Sequence, residues 1–157
     1  MDRGGEAPAN EPRWLTHDEQ RAWRAYLDAN RLLVEAIDQE LQRDAGIPHT
    51  YYEILVRLSE APGRRLRMSE LAEAATASRS RMSHAVARLE VMGWVRRDEC
   101  PTDRRGQVAA LTDEGFAALE AAAPAHVDCV RRSLFDQLTP DQVDALREIS
   151  EAVVRHL

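Results

Sequence analysis

Apolar residues recur every three or four positions along most of the chain, which predicts a mainly helical fold. A capping box formed by Thr16 and Glu19 opens a first helix of roughly 27 residues, which ends at Gly46. The average helix has about 11 to 12 residues. From the residues alone, the first helix can be interpreted either as a long core helix or as a dimerisation arm.

Three shorter helices and an extended segment follow. A second capping box, Thr50 to Glu53, starts a short helix, and residues 66 to 68 are extended. Residues 69 to 75 and 79 to 92 form two helices separated by a turn of three residues, which is the helix-turn-helix pattern. Gly93 is placed to terminate the second of these helices. Its apolar stripe consists of Met82, Ala85, Val86, Leu89 and Met92.

Residues 95 to 98 and 107 to 111 predict the two strands of a hairpin. Thr112 then caps a fifth helix, in which Pro124 predicts a kink or a break. Thr139 and Pro140 begin a sixth helix that continues to the end of the chain. The predicted fold class is therefore mainly α, with six helices and a short sheet of two or three strands.

The composition is that of a globular protein, with 44% apolar and 31% charged residues. No run of eighteen apolar residues and no apolar leader segment is present. We therefore expect a soluble, cytoplasmic protein in which residues 1–13 form a disordered tail.

The net charge of −6 is unevenly distributed. Residues 64 to 105 carry ten arginines and six acids, a local balance of +4, so the rest of the chain carries −10. All 21 basic residues are arginine, whose guanidinium is a better partner for phosphates and base edges than the lysine ammonium. The overall acidity therefore does not exclude a nucleic-acid partner.

The polar face of the helix at residues 79 to 92 suggests contact with DNA. A helix that enters the major groove needs an apolar stripe to hold it and donors on its opposite face. Glu90 is the only acid of this helix. The candidate DNA-contacting residues are Ser78, Arg79, Ser80, Arg81, Ser83, His84 and Arg88.

The hairpin tip carries Asp103, Arg104 and Arg105. Arginine at such a tip can enter the minor groove, where the potential is negative. Phosphate would repel an outward-pointing Asp103, so we expect this carboxylate to pair with Arg105 or with an arginine of the preceding helix.

Enzymatic and metal-binding functions have weaker support. Ser80 and His84 share one helical face, as a nucleophile and its base would, but nothing nearby in sequence orients the histidine or excludes water. His126 and Cys129 are two of the ligands that a metal site would need, which is too few. We expect no catalysis, no metal and no cofactor.

The segment SELAEAATASRSRMSHAVARLEVMGWVRR, followed by Asp103-Arg104-Arg105 and VAALTDEG, closely resembles the winged-helix MarR family of transcriptional regulators. The resemblance extends from about Thr16 to Leu157. It implies an obligate homodimer, with dimerisation helices at 14–48 and 113–157 and a DNA-binding winged helix-turn-helix lobe at 49–112. Each subunit would read half of a near-palindromic operator, most often as a repressor, with Arg104 and Arg105 at the minor groove.

The resemblance also implies a small aromatic or anionic effector between the dimer arm and the DNA-binding lobe. Candidate lining residues are Trp14, Trp23, Tyr26, Tyr51, Tyr52 and Arg57, for which a role in the core is the alternative. Family members that sense peroxides use a cysteine near the first helix, whereas the cysteines here are Cys100 and Cys129. A cysteine-based redox regulator and a winged-helix module that binds protein instead of DNA are the alternative functions.

Overall fold

A computed structural model of the protein describes residues 12–75, 77–100 and 103–157, without the side chains of residues 100 and 103–105. These ranges contain six α-helices and three β-strands, which confirms the predicted mainly α fold with a small sheet. In chain order the elements are α1 His17–Ala45, α2 His49–Glu60, β1 Arg65–Arg67, α3 Met68–Ala74, α4 Arg79–Val91, β2 Val95–Cys100, β3 Asp103–Leu111, α5 Asp113–Ser133 and α6 Pro140–Val154. The predicted tail at residues 1–13 lies almost entirely outside the described residues.

The chain divides into two compact units, Met1–Leu32 and Leu33–Leu157. In the first unit, the predicted capping box is confirmed at the start of α1. The Thr16 backbone N–H donates to Glu19 Oε2 over 2.7 Å, and the Glu19 N–H donates to Thr16 Oγ1 over 3.2 Å.

The second unit has a single apolar core contributed by α1, α2, α3, α4, α5 and the sheet. The branched and aliphatic residues of α2 and α4 are its centre, as their helical spacing predicts. Core side chains that are essentially inaccessible to solvent include Ile54, Leu55, Leu58, Leu71, Met82, Val86 and Leu89.

The three strands form an antiparallel sheet in the order β1-β3-β2. Both hairpin strands extend beyond the predicted ranges, to residues 100 and 103, with an irregularity in register between Glu99 and Cys100. The short β1 pairs Leu66 with Ala109 on β3. The sheet therefore has three strands, the larger of the two numbers predicted.

The predicted cap of the second helix and the predicted last residue of the α4 apolar stripe are wrong. The second helix begins at His49 and does not use the predicted capping box at Thr50 to Glu53. Instead, Asp38 Oδ1 of α1 accepts the His49 backbone N–H over 2.8 Å, a cap that comes from a distant part of the sequence. Met92 is 40% exposed and does not extend the apolar stripe, because α4 ends at Val91 and the chain turns at Gly93, where φ is 76°.

Of the kink or break predicted at Pro124, the break does not occur, since α5 runs without interruption from Asp113 to Ser133. Proline removes the hydrogen bond to the carbonyl four residues earlier. Here both Pro124 and Glu120 are exposed, so water can solvate that carbonyl. No helix of the described residues is long and apolar enough to cross a membrane.

Candidate nucleic-acid interface

The helix α4 has one face in the core and one in solvent. Met82, Ala85, Val86 and Leu89 are buried, as the apolar stripe predicts. The opposite face presents most of the predicted DNA-contacting residues. Ser83 is half-buried, and the exposed members of the set are Ser78, Arg79, Ser80, Arg81, His84 and Arg88.

Ser78 is the N-cap of α4. Its Oγ accepts the backbone N–H of Arg81 over 3.3 Å, which satisfies one of the amide groups left free at a helix start. This hydroxyl therefore determines where α4 begins, whereas Ser80 and Arg81 project from its first turn.

A groove of about 450 Å³ lies beside α4 and reaches β3. It brings Arg67 of β1 close to Arg79 and Ser83 of α4, so two guanidinium-bearing residues line one concave surface. Such a surface suits a phosphate backbone. The full lining is Arg67, Met68, Ser69, Arg79, Ser83, Gly106 and Gln107.

Sequence reasoning missed Arg67 and Gln107 as candidate interface residues. Arg67 pairs with Val108 on β3, which places it next to Gln107 in the sheet. The signal in the sequence was the brief extended run at residues 66 to 68, but three residues do not specify which strand they pair with.

Glu90, the one acid of α4, is turned toward the sheet. Its Oε2 lies 3.0 Å from Arg97 Nε on β2, and its Oε1 accepts the Arg97 backbone N–H over 3.1 Å. The negative charge is therefore compensated within the protein, which leaves the exposed face of α4 cationic.

Asp98 links β1 to β2 at the base of the hairpin. It accepts hydrogen bonds from Arg96 Nε over 2.8 Å and from Arg65 Nη2 over 2.8 Å. The hydrogen bonds from Arg96, and then the positive charges of Arg96 and Arg65, hold the pKa of Asp98 below its usual value. A carboxylate thus braces the hairpin, although the sequence suggested Asp103 for such a role.

The tip of the hairpin is described only by its backbone. Cys100 pairs with Asp103 in the β2–β3 register. The side chains of Asp103, Arg104 and Arg105 lie outside the described part of the structure, so their entry into the minor groove stays a prediction.

Ser80 and His84, which share one face of α4, are both exposed, and no hydrogen bond between their side chains occurs among the described residues. No group of three or more histidine, cysteine or acidic residues that could hold a metal, with or without His126 and Cys129, occurs in the described ranges. Cys129 is buried, with its Sγ 3.9 Å from Ser133 Oγ.

A second concave surface lies between α2 and α5. This cleft of about 310 Å³ contains two of the predicted effector residues, Tyr52 and Arg57. Tyr51 does not line it, and Trp23 and Tyr26 belong to the first compact unit, where their rings stack with centroids 6.1 Å apart. The residues lining the cleft are His49, Tyr52, Glu53, Val56, Arg57, Glu60 and His126.

The cleft contains polar groups without internal partners. Arg57 Nε and His126 Nδ1 are buried and have no hydrogen-bond partner among the described residues. The His126 ring lies 4.4 Å from that of Tyr52, centroid to centroid. Burial lowers the pKa of His126, helped by the nearby His49, and burial raises the pKa of the Tyr52 hydroxyl.

Comparison with known proteins identifies the family. A family model described as MarR family matches residues 45–106, which include α2, α3, α4 and β2. A solved MarR family transcriptional regulator from Streptomyces coelicolor, Sco3205 in complex with DNA, is 58% identical, with a TM-score of 0.89 over 94% of this chain and 92% of that chain. The protein belongs to the MarR family.

Two further similar proteins are transcriptional regulators. AbsC, a MarR family regulator from the same organism, is 44% identical over 92% of this chain and 97% of that chain, with a TM-score of 0.86. The transcriptional repressor MprA of Escherichia coli K12 is 29% identical over 112 residues, or 71% of this chain. The match spans 63% of the length of MprA, slightly less than two thirds.

Proposed function

We propose that the protein is a sequence-specific transcriptional regulator that binds double-stranded DNA. The observation that carries this proposal is the cationic face of α4 beside the arginine-lined groove, in a chain 58% identical to a regulator solved with DNA. In this proposal α4 occupies the major groove, where Arg81 and His84 contact base edges. Arg67 and Arg79 bind phosphates, and the β2–β3 hairpin reaches the minor groove.

The proposed active form is a homodimer on a near-palindromic operator. No residue of α6 is buried within this chain, although the helix carries Leu146, Ile149 and Val153 at helical spacing. An apolar stripe of this kind is normally covered, and a second copy covers it symmetrically. Repression is the proposed outcome of binding, as the name of the relative MprA indicates for that protein.

The cleft between α2 and α5 is the proposed effector site. Its unpaired Arg57 Nε and His126 Nδ1 offer hydrogen bonds to a ligand, and Tyr52 offers a flat apolar ring. A small aromatic or anionic molecule fits this combination. We propose that such a ligand releases the protein from DNA.

Selection of bound fragments from a genomic DNA pool would test the function and identify the operator. The dissociation constant of the selected duplex is then measured by fluorescence anisotropy at several salt concentrations. A specific regulator should prefer this duplex over scrambled DNA by about 10³-fold or more. The logarithm of the binding constant should decrease linearly with the logarithm of the salt concentration, with a slope of about −0.9 per phosphate neutralised.

The variant Arg131→Ala supplies a control, because it removes one exposed positive charge from α5, a helix that carries none of the proposed DNA contacts. Its operator affinity should match that of the wild type. Equal and weak binding to every duplex would contradict the proposal and favour a protein-interaction module. Sedimentation should give twice the chain mass of 17.7 kDa, and a stable monomer would contradict the dimer.

A further inference from the structure

Arg97 of β2 contacts two separate turns of the helix α4. At one turn, its backbone N–H donates to Glu90 Oε1 over 3.1 Å, and its Nε lies 3.0 Å from Glu90 Oε2. At the other, its Nη2 donates to the Ser83 carbonyl oxygen over 2.8 Å. Ser83 and Glu90 are separated by roughly 10 Å along the helix axis, so Arg97 contacts two points of α4 that lie about two turns apart.

These contacts are partly shielded from water. The Arg97 side chain is 19% exposed and that of Glu90 is 33% exposed. The hydrogen bonds here are those from the Arg97 backbone N–H to Glu90 and from Nη2 to the Ser83 carbonyl, whereas the Arg97 Nε–Glu90 contact is an ion pair without hydrogen-bond geometry. Charge-assisted hydrogen bonds at such shielded positions are stronger than those between fully solvated groups. A planar guanidinium suits this geometry because it presents several N–H groups in fixed directions.

The adjacent Arg96 behaves differently. Its side chain is 60% exposed and binds Asp98 on the same strand, with Nε 2.8 Å from Oδ1. The two neighbouring arginines thus have different partners: Arg96 binds a residue of its own strand, whereas Arg97 connects the sheet to α4. Arg96 therefore provides a control with the same charge and almost the same place in the chain.

Arg97 and Glu90 connect β2 to α4, and the β2–β3 hairpin and α4 are the two elements proposed to contact DNA. Ser83, at one end of the contact, lines the groove that contains Arg67 and Arg79. β2, at the other end, leads directly into the hairpin. Two reading elements engage one site well only if their relative position is held to about 0.5 Å and their relative orientation to about 10–20°.

We propose that Glu90 and Arg97 form a positioning pair that fixes α4 against the hairpin and so determines operator discrimination. The inference rests on the proposed function. Arg97 acts here through the helix and is not itself counted as a DNA contact. Its loss should therefore impair recognition of the correct sequence more than it impairs attraction to DNA in general.

The test compares Arg97→Met, Arg97→Lys and Glu90→Gln with the control Arg96→Met. For each protein, dissociation constants are measured for the selected operator and for a scrambled duplex at one salt concentration. Thermal unfolding and sedimentation verify that each variant is folded and has the same mass as the wild type. Glu90→Gln is a nearly isosteric change that removes the charge of the pair. It therefore tests the pair even if Arg97→Met does not fold.

Arg97→Met should weaken operator binding by about tenfold or more, and binding to the scrambled duplex by no more than about threefold. Arg97→Lys keeps the charge but lacks the planar guanidinium with its several N–H donors. It should therefore retain the wild-type salt slope and still lose discrimination between the operator and the scrambled duplex. Arg96→Met leaves Asp98 hydrogen-bonded to Arg65 of β1, so it should weaken binding to both duplexes by a similar factor. Combining Glu90→Gln with Arg97→Met should cause no greater loss than Arg97→Met alone, because the two residues act as a unit.

Full discrimination in Arg97→Met, or its full restoration by Arg97→Lys, would overturn the inference while leaving the proposed function intact. Independent effects of the two substitutions in the double variant would also overturn it. If the wild-type protein itself showed no preference for any duplex, the proposed function would fall, and the positioning role with it.

Discussion

Arg132 on α5 donates hydrogen bonds of 3.0 Å from Nη2 to both carboxylate oxygens of Glu40 on α1. The Glu40 side chain is only 14% exposed and also lies 3.1 Å from Arg43 Nη2. The hydrogen bonds from Arg132, followed by those from Arg43, lower the pKa of Glu40. The ionised form of this carboxylate is therefore favoured in the folded protein.

Replacing Glu40 with Gln should destabilise the protein at neutral pH and much less in acid. Because the folded-state pKa is lowered, the stabilisation exists above the unfolded-state pKa and disappears as pH falls below about 4. Thermal unfolding at pH 7 and pH 3, at one protein concentration, would measure the difference between variant and wild type. Glu151→Gln removes an exposed carboxylate that pairs with Arg147 and is the control. A deficit of equal size at both pH values would contradict the ionic role of Glu40.

Removing the N-cap of α4 should lower the stability of the protein. Ser78→Ala loses the Oγ that accepts the Arg81 N–H, and loss of such a cap costs about 0.5 to 2 kcal/mol. Urea unfolding would measure this cost, and Ser78→Asp should recover most of it. Ser80→Ala, two residues away and exposed, should leave stability within about 0.5 kcal/mol. A Ser78→Ala protein as stable as wild type would show that the cap has no net effect.

Gly115 is a position where a methyl group has no room. A Cβ there would collide with the backbone carbonyl of Trp94, which cannot move aside as a flexible side chain could. Gly115→Ala should therefore reduce the free energy of unfolding by about 1 to 3 kcal/mol or more. Glu120→Ala, exposed on the same helix, is the control substitution in the urea measurement. Wild-type stability in Gly115→Ala would mean that Trp94 and α5 separate easily.

His126 should make stability depend on pH near neutrality. Burial, and then the proximity of His49, lowers its pKa, so the unfolded chain takes up a proton more readily than the folded one. Stability should fall as pH drops from about 7 to 5, and His126→Gln should make that fall shallower. Thermal unfolding across this range would measure the slope, with exposed His156→Gln as the control for losing one histidine. An unchanged slope in His126→Gln would contradict the assignment.

Local signals predicted much of the fold correctly. Thr16, Thr112 and Thr139 each cap a helix in the structure, because a hydroxyl three residues before a backbone N–H acts within one turn. The buried stripe of α4 followed in the same way from its spacing. Such features depend on residues close in sequence and are therefore visible in it.

Features that depend on distant residues were not predictable. The start of α2 is determined by Asp38, eleven residues earlier, and not by Thr50. The role of Arg97 is equally hidden, because its partners Ser83 and Glu90 are in another element. In the sequence, Glu90 was simply the one acid on a cationic helix; tertiary structure pairs it and turns it away from the proposed DNA face.

The exposed face of α4 gives the sharpest test of base recognition. Arg81→Ala and His84→Ala should each cost about 1 to 3 kcal/mol at particular base pairs if the side chain contacts a base edge. Binding of each variant to a set of operators with single base-pair changes would reveal those positions. Arg79, which lines the groove beside α4, offers a matched comparison, since a phosphate contact should weaken all duplexes alike and reduce the salt slope. If Arg81→Ala and His84→Ala produced the same uniform loss as Arg79→Ala, these two residues would be phosphate contacts, and sequence reading would have to come from other residues.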